Sequence, residues 1–456
     1  MLKHSAAISI FLFVLSAIFL SEWIVKPKPK PGPLEITYWE KWTGFESDAM
    51  RATVNDFNKS QDRIHVNILT VSGIQNKTLL AIAGNVPPDI AGLYGPNVAQ
   101  YADANAVLPM DEYCRKAGLT ADHYIPAYWD IGFYKGHVWA LPSSPASTAL
   151  HYNKKMLTAA GYTKPPETLE ELDVMAEKMT VRNPDNTIKI SGFIPQEPDW
   201  WAWGWGYLFG GELWDGKSQI TINSPENIKA YEWVQGYTKK YGHSVLQTFQ
   251  SGFGSFSSPQ NAFLSEKVAM EQQGVWMYNY ITNYSPKLEW AAAPFPLPKD
   301  QKYKGDFTFV DADVLVIPRG AKHPAEAFEF INYVQSQKGM ETFVLGQRKN
   351  SPLAEVSPEF YKKHPNPFIH LFSDLPRGHH NFTFAKLGIW PEYQAEITSA
   401  VQELTSNENV SVKALFDKVK ERMQPKLDQY FQRLKMREAQ RVNSTQEETK
   451  QKEARQ

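Results

Sequence analysis

Between Glu197 and Tyr207 the chain reads Glu-Pro-Asp-Trp-Trp-Ala-Trp-Gly-Trp-Gly-Tyr, with four Trp and one Tyr in eight positions beside two carboxylates. Adjacent Trp200 and Trp201 cannot both face one core in a helix or a strand. Buried indole N–H groups also need acceptors, so some of these rings are expected at the surface. Exposed aromatic faces flanked by carboxylates suit a sugar, whose C–H patches stack on a ring while its hydroxyls donate to carboxylate oxygens. A Trp-rich packing corner and an aromatic cage for a quaternary ammonium are the competing readings. Trp39, Trp42, Tyr94, Trp276, Tyr278, Tyr280 and Trp390 place further rings at predicted loop or strand ends. Singly each is best explained as packing; together they favour a carbohydrate cleft.

Signatures of catalysis are scarce. Glu197 with Asp199, and Asp311 with Asp313, are two positions apart and would share a face of a strand. A glycosidase sets two carboxyl groups about 5–9.5 Å apart, so the spacing alone does not dismiss hydrolysis. Sugar-binding or solvated carboxylates are the simpler account. No G-x-x-x-x-G-K-S/T, H-E-x-x-H or G-x-S-x-G occurs, and Gly204-x-Gly206-x-x-x-Gly210 misses the dinucleotide spacing by one residue. The eleven His are scattered, and the single Cys114 excludes an internal disulfide or a thiolate metal cage. No cofactor and no metal are expected.

Positioning such residues takes a sizeable core, and 456 residues supply two or three lobes. A formal charge of −1 lacks the basic footprint of a nucleic-acid binder. Residues 34–39 alternate as a strand, and 40–46 form a loop. Residues 47–58 suit an amphipathic helix with Ser47 as N-cap. Residues 64–71, 74–83 and 89–93 then give strand, helix and strand. This order implies parallel pairing, with ligand at the loops 40–46 and 94–97 beyond the strand ends. Helices are expected over 167–179, 224–241, 324–336 and 410–434, and a buried strand over 309–317 interrupted by Asp311 and Asp313. The fold class is α/β.

Residues 5–21 carry no charge and are rich in Ile, Leu and Phe, an export segment. With no evident small-residue cleavage site, an uncleaved membrane anchor over 1–25 is favoured over a cleaved signal. Three lysines after the apolar run, against Lys3 before it, oppose that orientation on charge bias alone. Residues 26–33 alternate Lys and Pro as an extended spacer. Residues 434–456 lose the apolar pattern and read as a solvated or frayed helical extension.

Several segments occur together in an order that resembles the family 1 extracellular solute-binding proteins of ABC importers, the maltose-binding type. They are Pro87-Pro88-Asp89-Ile90, Ala140-Leu141-Pro142, Leu150 to Leu157 followed by Ala160-Gly161-Tyr162, and Pro165 to Leu172. Phe263 to Met270 leading to Gly274-Val275-Trp276, and Ile317-Pro318, complete the set. The resemblance implies a two-lobe, type II periplasmic-binding-protein-like fold that closes about a hinge on a carbohydrate ligand. It implies delivery to ABC permease subunits from outside the cytoplasm, without catalysis, by a monomer. The lobes it implies are 34–145 with 291–345, and 146–290 with 346–433. Ligand contacts are implied at Trp42, Thr43, Tyr94, Asn97, Glu197, Asp199, Trp200, Trp276 and Trp390, and Asp311 joins them. Two departures stand out: Ala146, where maltose-type proteins carry a carboxylate, and Leu169, where the family prefers Trp. A glycoside hydrolase or lyase and a membrane-tethered sugar sensor on the same fold are the alternatives.

Overall fold

The structure is a computed structural model that describes residues 32–300 and 305–453. The N-terminal export segment and most of the Lys/Pro spacer lie outside the described residues, as do the side chains of Asp199 and Trp200.

The first half of the sheet forms as the alternation dictates. Strand β1 (Leu34–Glu40) buries Ile36 and Tyr38 on one face. It pairs in parallel with β2 (Ile64–Thr70), Leu34 opposite Ile64, and with β3 (Ile90–Tyr94), Tyr38 opposite Ile90. The intervening helices are α1 (Gly44–Ser60), which buries Met50, Val54 and Phe57, and α2 (Ile74–Ala83). Helix α1 starts three residues before the expected Ser47 cap. Ser47 lies buried inside the first turn, and its hydroxyl accepts from Arg51 Nε at 3.2 Å rather than capping the helix.

The remaining strands are β4 (Leu141–Asn153), β5 (Met270–Gly274), β6 (Trp290–Ala293), β7 (Phe307–Val316) and β8 (His380–Phe382). The order is β6-β4-β7-β3-β1-β2, with β5 beside β4 and β8 beside β7. Strand β7 runs antiparallel to both β3 and β4, so the sheet is mixed.

Strand β4 changes partners midway. Leu141 to Ser147 face β7, whereas Thr148 to Tyr152 face β5. Pro142 and Pro145 in its first half have no N–H to donate, and the pairing with β7 shifts register between Ala312 and Val314. At the changeover, side-chain hydroxyls bond the backbone of the neighbouring strand. Thr148 N–H donates to Thr308 Oγ1 at 3.0 Å, Thr308 Oγ1 donates to the Thr148 carbonyl at 2.9 Å, and Phe309 N–H donates to Thr148 Oγ1 at 3.0 Å.

Helix α3 (Leu169–Met179) is capped by Thr168, and α4 (Pro225–Tyr241) by Ser224, each hydroxyl accepting a backbone N–H from the first turn. Leu169 is buried, so its departure from the family's Trp concerns packing. Helix α5 (Pro324–Gln335) lies over the sheet, followed by α6 (Gln337–Gln347). Helix α7 (Trp390–Ser406) packs against the terminal helix α8 (Val412–Glu453), which buries Leu415, Phe416, Val419 and Met423 on the expected stripe. The stripe continues through Tyr430, with Phe431 and Leu434 partly buried beyond it. The Tyr430 hydroxyl donates to Asp103, which also accepts from Tyr134 at 2.9 Å and Lys135 at 2.8 Å.

The Trp-rich run does not present its rings to solvent. Asp199–Phe209 coils as a 3-10 turn in which Trp201, Trp203, Trp205 and Tyr207 are all buried. The expectation of surface rings is corrected at Trp203, Trp205 and Tyr207, whereas Trp201 keeps one face on the cleft. The tight coil lies flat because a Cβ at Gly204 would sit 2.5 Å from Phe309, and one at Gly206 only 1.8 Å from Asn227 Oδ1. Only glycine allows that approach.

Candidate functional site

A cleft of about 250 Å³ opens beyond the carboxyl ends of β1 and β3, over the middle of β7. Six rings line it: Trp42 from the β1–α1 loop, Tyr94 at the end of β3, Trp201, Phe256, Trp276 and Tyr280. Glu46, Ser144, Asp311, Asp313 and Lys349 add the polar groups.

The charged wall is built around Lys41. Glu40 ends β1 buried, and its carboxylate accepts from the Tyr38 hydroxyl and, at 2.7 Å, from the Lys41 backbone N–H. The Lys41 ammonium lies 3.2 Å from Asp313 Oδ1 and 3.5 Å from Glu40 Oε1, and donates to the Gly92 and Leu93 carbonyls at 3.3 Å. Burial pulls its pKa down, yet Asp313 and then Glu40 outweigh burial and hold it above the ordinary lysine value. The other Asp313 oxygen accepts from Trp42 Nε1, which fixes the indole. Trp42 meets Tyr94 edge-on at 5.9 Å and 89°, and the Lys41 ammonium lies 4.7 Å from the Tyr94 ring. On the other side, Lys349 sits 2.5 Å from Glu46 Oε1 and donates to Ser144 Oγ at 3.0 Å.

Asp311 differs from its neighbours. It lies two residues before Asp313 on β7, opposite Ala146 of β4. The carboxylate that maltose-type proteins are expected to carry at position 146 is thus supplied from the facing strand. Asp311 Oδ1 accepts the Ala312 N–H at 2.7 Å. Among the described residues no cationic nitrogen lies within ion-pair distance of it. Burial, then the charge of Asp313, push its carboxyl up to about 8.

The aromatic wall is held from behind. Trp201 stacks on Phe309 at 4.6 Å with planes 10° apart, so β7 carries both a carboxyl and a ring platform. Trp276 follows β5, its Nε1 donating to Gln273 Oε1 at 3.1 Å. Its ring lies over Gly274, where a Cβ would come within 2.1 Å of two ring atoms. Phe256 meets Tyr280 at 5.8 Å and Trp276 at 6.4 Å.

Of the proposed ligand contacts, Trp42, Tyr94, Trp276 and Asp311 line the cleft, and so do Trp201 and Tyr280 from the aromatic groups. Four of the proposed contacts do not. Thr43 is exposed at the start of α1, and Asn97 is buried in the turn Gly95–Asn97. Glu197 sits half-buried before the cis Pro198, where its charge acts on Glu271. Trp390 is completely buried at the start of α7, edge-on to Trp203 at 5.1 Å and to Tyr393 at 5.9 Å. It is a core ring, because the helix face that carries Tyr393 and Ile397 turns it inward. Asp199 and Trp200 fall outside the described side chains.

Sequence reasoning reached Lys41 and Glu46 only as part of the loop 40–46, and missed Ser144, Phe256 and Lys349. A Glu40-Lys41 pair at a strand end was the one local signal; nothing near Lys349 marks it. Among the described residues no group of three His, Cys, Asp or Glu is arranged to hold a metal ion, and no helix is long and apolar enough to cross a membrane.

A mixed sheet threaded by two long antiparallel strands, with a ring-lined cleft over their midpoint, defines a two-lobed periplasmic-binding-protein fold. A protein solved with mannobiose bound shares it at a TM-score of 0.75 and 25% identity, over 85% of this chain and 98% of that chain. The profile of bacterial extracellular solute-binding proteins matches residues 52–368, and the chain belongs to that family. Its site of action is therefore extracytoplasmic. The maltotriose-binding protein of Pyrococcus abyssi is 20% identical over 312 residues, covering 66% of this chain and 62% of that protein. This chain thus spans less than two thirds of that relative's length. An uncharacterized ABC transporter extracellular-binding protein of Pyrococcus horikoshii is 23% identical over 420 residues, covering 83% and 85%.

Proposed function

We propose that this chain is the carbohydrate-binding component of an ABC-type importer, taking a sugar or short oligosaccharide into the cleft and presenting it to permease subunits. The observation that carries this reading is the cleft itself. Aromatic faces rise from both flanks of β7, and hydroxyl-accepting carboxylates lie on its floor. Pyranose C–H faces stack on Trp201 and Trp276, while Asp311 and Glu46 take hydroxyl protons. A micromolar site needs about −8 kcal/mol, more than a few stacks of about 0.5–1.5 kcal/mol supply, so these hydrogen bonds are part of the affinity. The maltotriose-binding relative and the mannobiose complex support a hexose-based ligand. The cleft, at about 250 Å³, suits one or two rings rather than a long chain.

The mechanism is closure by differential affinity. A sugar that touches both walls favours the state in which they are near each other. The hinge is the changeover of β4 at Ser147 and Thr148, which separates lobe segments 34–145 with 291–345 from 146–290 with 346–433. The chain works as a monomer, and residues 1–25 hold it to the membrane through the Lys/Pro spacer. Binding without turnover is favoured because Asp313 is engaged by Lys41 and Trp42, so it offers no free nucleophile or base beside Asp311. A thermal-shift screen of the full chain against mono- and oligosaccharides tests the reading, since ligand bound to the folded state raises Tm. A rise with a sugar, and no new reducing ends on incubation, is expected. Release of reducing ends would overturn the binding-only reading.

A further inference from the structure

The cleft's charges do not balance. Among the described residues, Glu46, Asp311 and Asp313 line the cleft with Lys349 as the one lining cation, and Glu40 and Lys41 lie buried behind them. Both ammonium groups are already engaged: Lys41 by Asp313 and Glu40, Lys349 by Glu46 at 2.5 Å. Asp313 has in addition the Trp42 indole N–H. Among the described residues, Asp311 receives only the N–H of the next residue.

Resting on the sugar-binding reading above, we propose that the ligand is an amino sugar, with its ammonium seated on the Asp311 carboxylate and its ring face against Trp201. A neutral hydroxyl gives Asp311 a hydrogen bond but no charge to pair with its ionised form. An ammonium supplies both, and the aromatic faces around it add cation–π attraction. A phosphorylated or carboxylated ligand meets the opposite situation, an acidic cleft with both nearby cations already engaged.

The proton balance follows from the surroundings of Asp311. Its charged neighbours are Asp313 on its own strand and Lys41 before α1, and Glu46 on α1, Tyr94 on β3 and Lys349 after α6 line the same cleft. Tyr128 lies behind, its hydroxyl donating to the Ala146 carbonyl at 3.2 Å, with Arg377 beyond it. With its carboxyl pushed up to about 8, Asp311 holds a proton at pH 7 in the free protein. Arrival of R–NH₃⁺ converts the carboxyl to a carboxylate–ammonium pair and releases one proton to solvent.

Calorimetric titration of the full chain at pH 7 with glucosamine, galactosamine and mannosamine, each beside its neutral parent hexose, tests this. Paired buffers of different ionisation enthalpy count the protons. The expected result is one amino hexose binding at least tenfold more tightly than its parent, with close to one proton released, and an Asp311→Asn protein in which that ratio falls towards one. Neutral hexoses binding as well as the amino forms, or a preference that survives Asp311→Asn, would overturn the amino-sugar assignment and leave the sugar-binding reading standing. Failure of every sugar, amino or neutral, in this panel and in the thermal-shift screen would overturn both. Choline binding as tightly as any amino sugar would show a cation cage with no sugar recognition, also against the proposal.

Discussion

Adding one methyl group at Gly274 should weaken ligand binding although position 274 does not line the cleft. A Cβ there would lie 2.1 Å from Cη2 and Cζ3 of Trp276 and 2.4 Å from Cζ2. Ordinary carbon contacts are about 3.5–4.0 Å, so the indole must retreat by roughly 1.5 Å or rotate away. Either movement breaks the 3.1 Å bond from Trp276 Nε1 to Gln273. Gly274 is not in the left-handed backbone region, so alanine is tolerated there and the effect is steric. Loss of one ring stack is worth about 0.5–1.5 kcal/mol, or about two- to twelvefold in Kd. Overpacking costs a further 1–3 kcal/mol or so of stability, seen as a lower but still cooperative Tm. The assay is calorimetric titration with the sugar that most raises Tm, on wild type, Gly274→Ala, Trp276→Ala and the double variant. Because glycine acts through the ring, the double variant should bind no more weakly than Trp276→Ala alone. Wild-type affinity in Gly274→Ala, or additive losses in the double variant, would refute the coupling.

Removing Asp313 by alanine leaves Lys41 with Glu40 at 3.5 Å and frees the Trp42 indole. A loss of about 3 kcal/mol in urea unfolding, at the lower end for breaking a buried pair, should accompany weaker binding, and an unchanged midpoint would contradict it. Trp390→Ala should cost about 3–5 kcal/mol of stability yet leave sugar affinity within about twofold, because the ring is wholly buried away from the cleft. A selective loss of affinity would return Trp390 to the site. The raised Asp311 carboxyl makes the folded state bind more protons than the unfolded chain between about pH 4 and its value of about 8. Its contribution is therefore complete below about pH 4 and is lost as pH rises through 8. Asp311→Asn should flatten the fall of unfolding free energy from pH 5 to 8, and an identical slope in both proteins would count against the assignment.

The strand–helix alternation of residues 34–94 was legible because Ile36, Tyr38, Met50, Val54 and Phe57 follow periods of two and 3.6 without competition. It also located Trp42 and Tyr94, since side chains just past parallel strand ends face the cleft. Strand β4 was hidden by Pro142 and Pro145, which read as loop residues until the register shift at Ala312 accommodates them. Lys349 and Ser144 carry no local signal; only the packing of α6 beside β4 brings them together. Trp390 and the Trp-rich run beyond Trp201 were misleading for another reason. An indole is equally suited to a core and to a sugar, and composition cannot tell which face a 3-10 coil or a helix start will turn inward.

The terminal helix offers a practical use. Its contacts with the body run past Tyr430 through Phe431 and Leu434 to Arg437, which donates to the Asp103 carbonyl at 2.6 Å, but the helix continues to Glu453, and the 16 residues beyond Arg437 at about 1.5 Å each extend roughly 24 Å. A dye, bead linker or fused domain attached there would ride on a stiff arm clasped to the body at Asp103. None of the residues that line the cleft belongs to this helix, so attachment there alters no lining group.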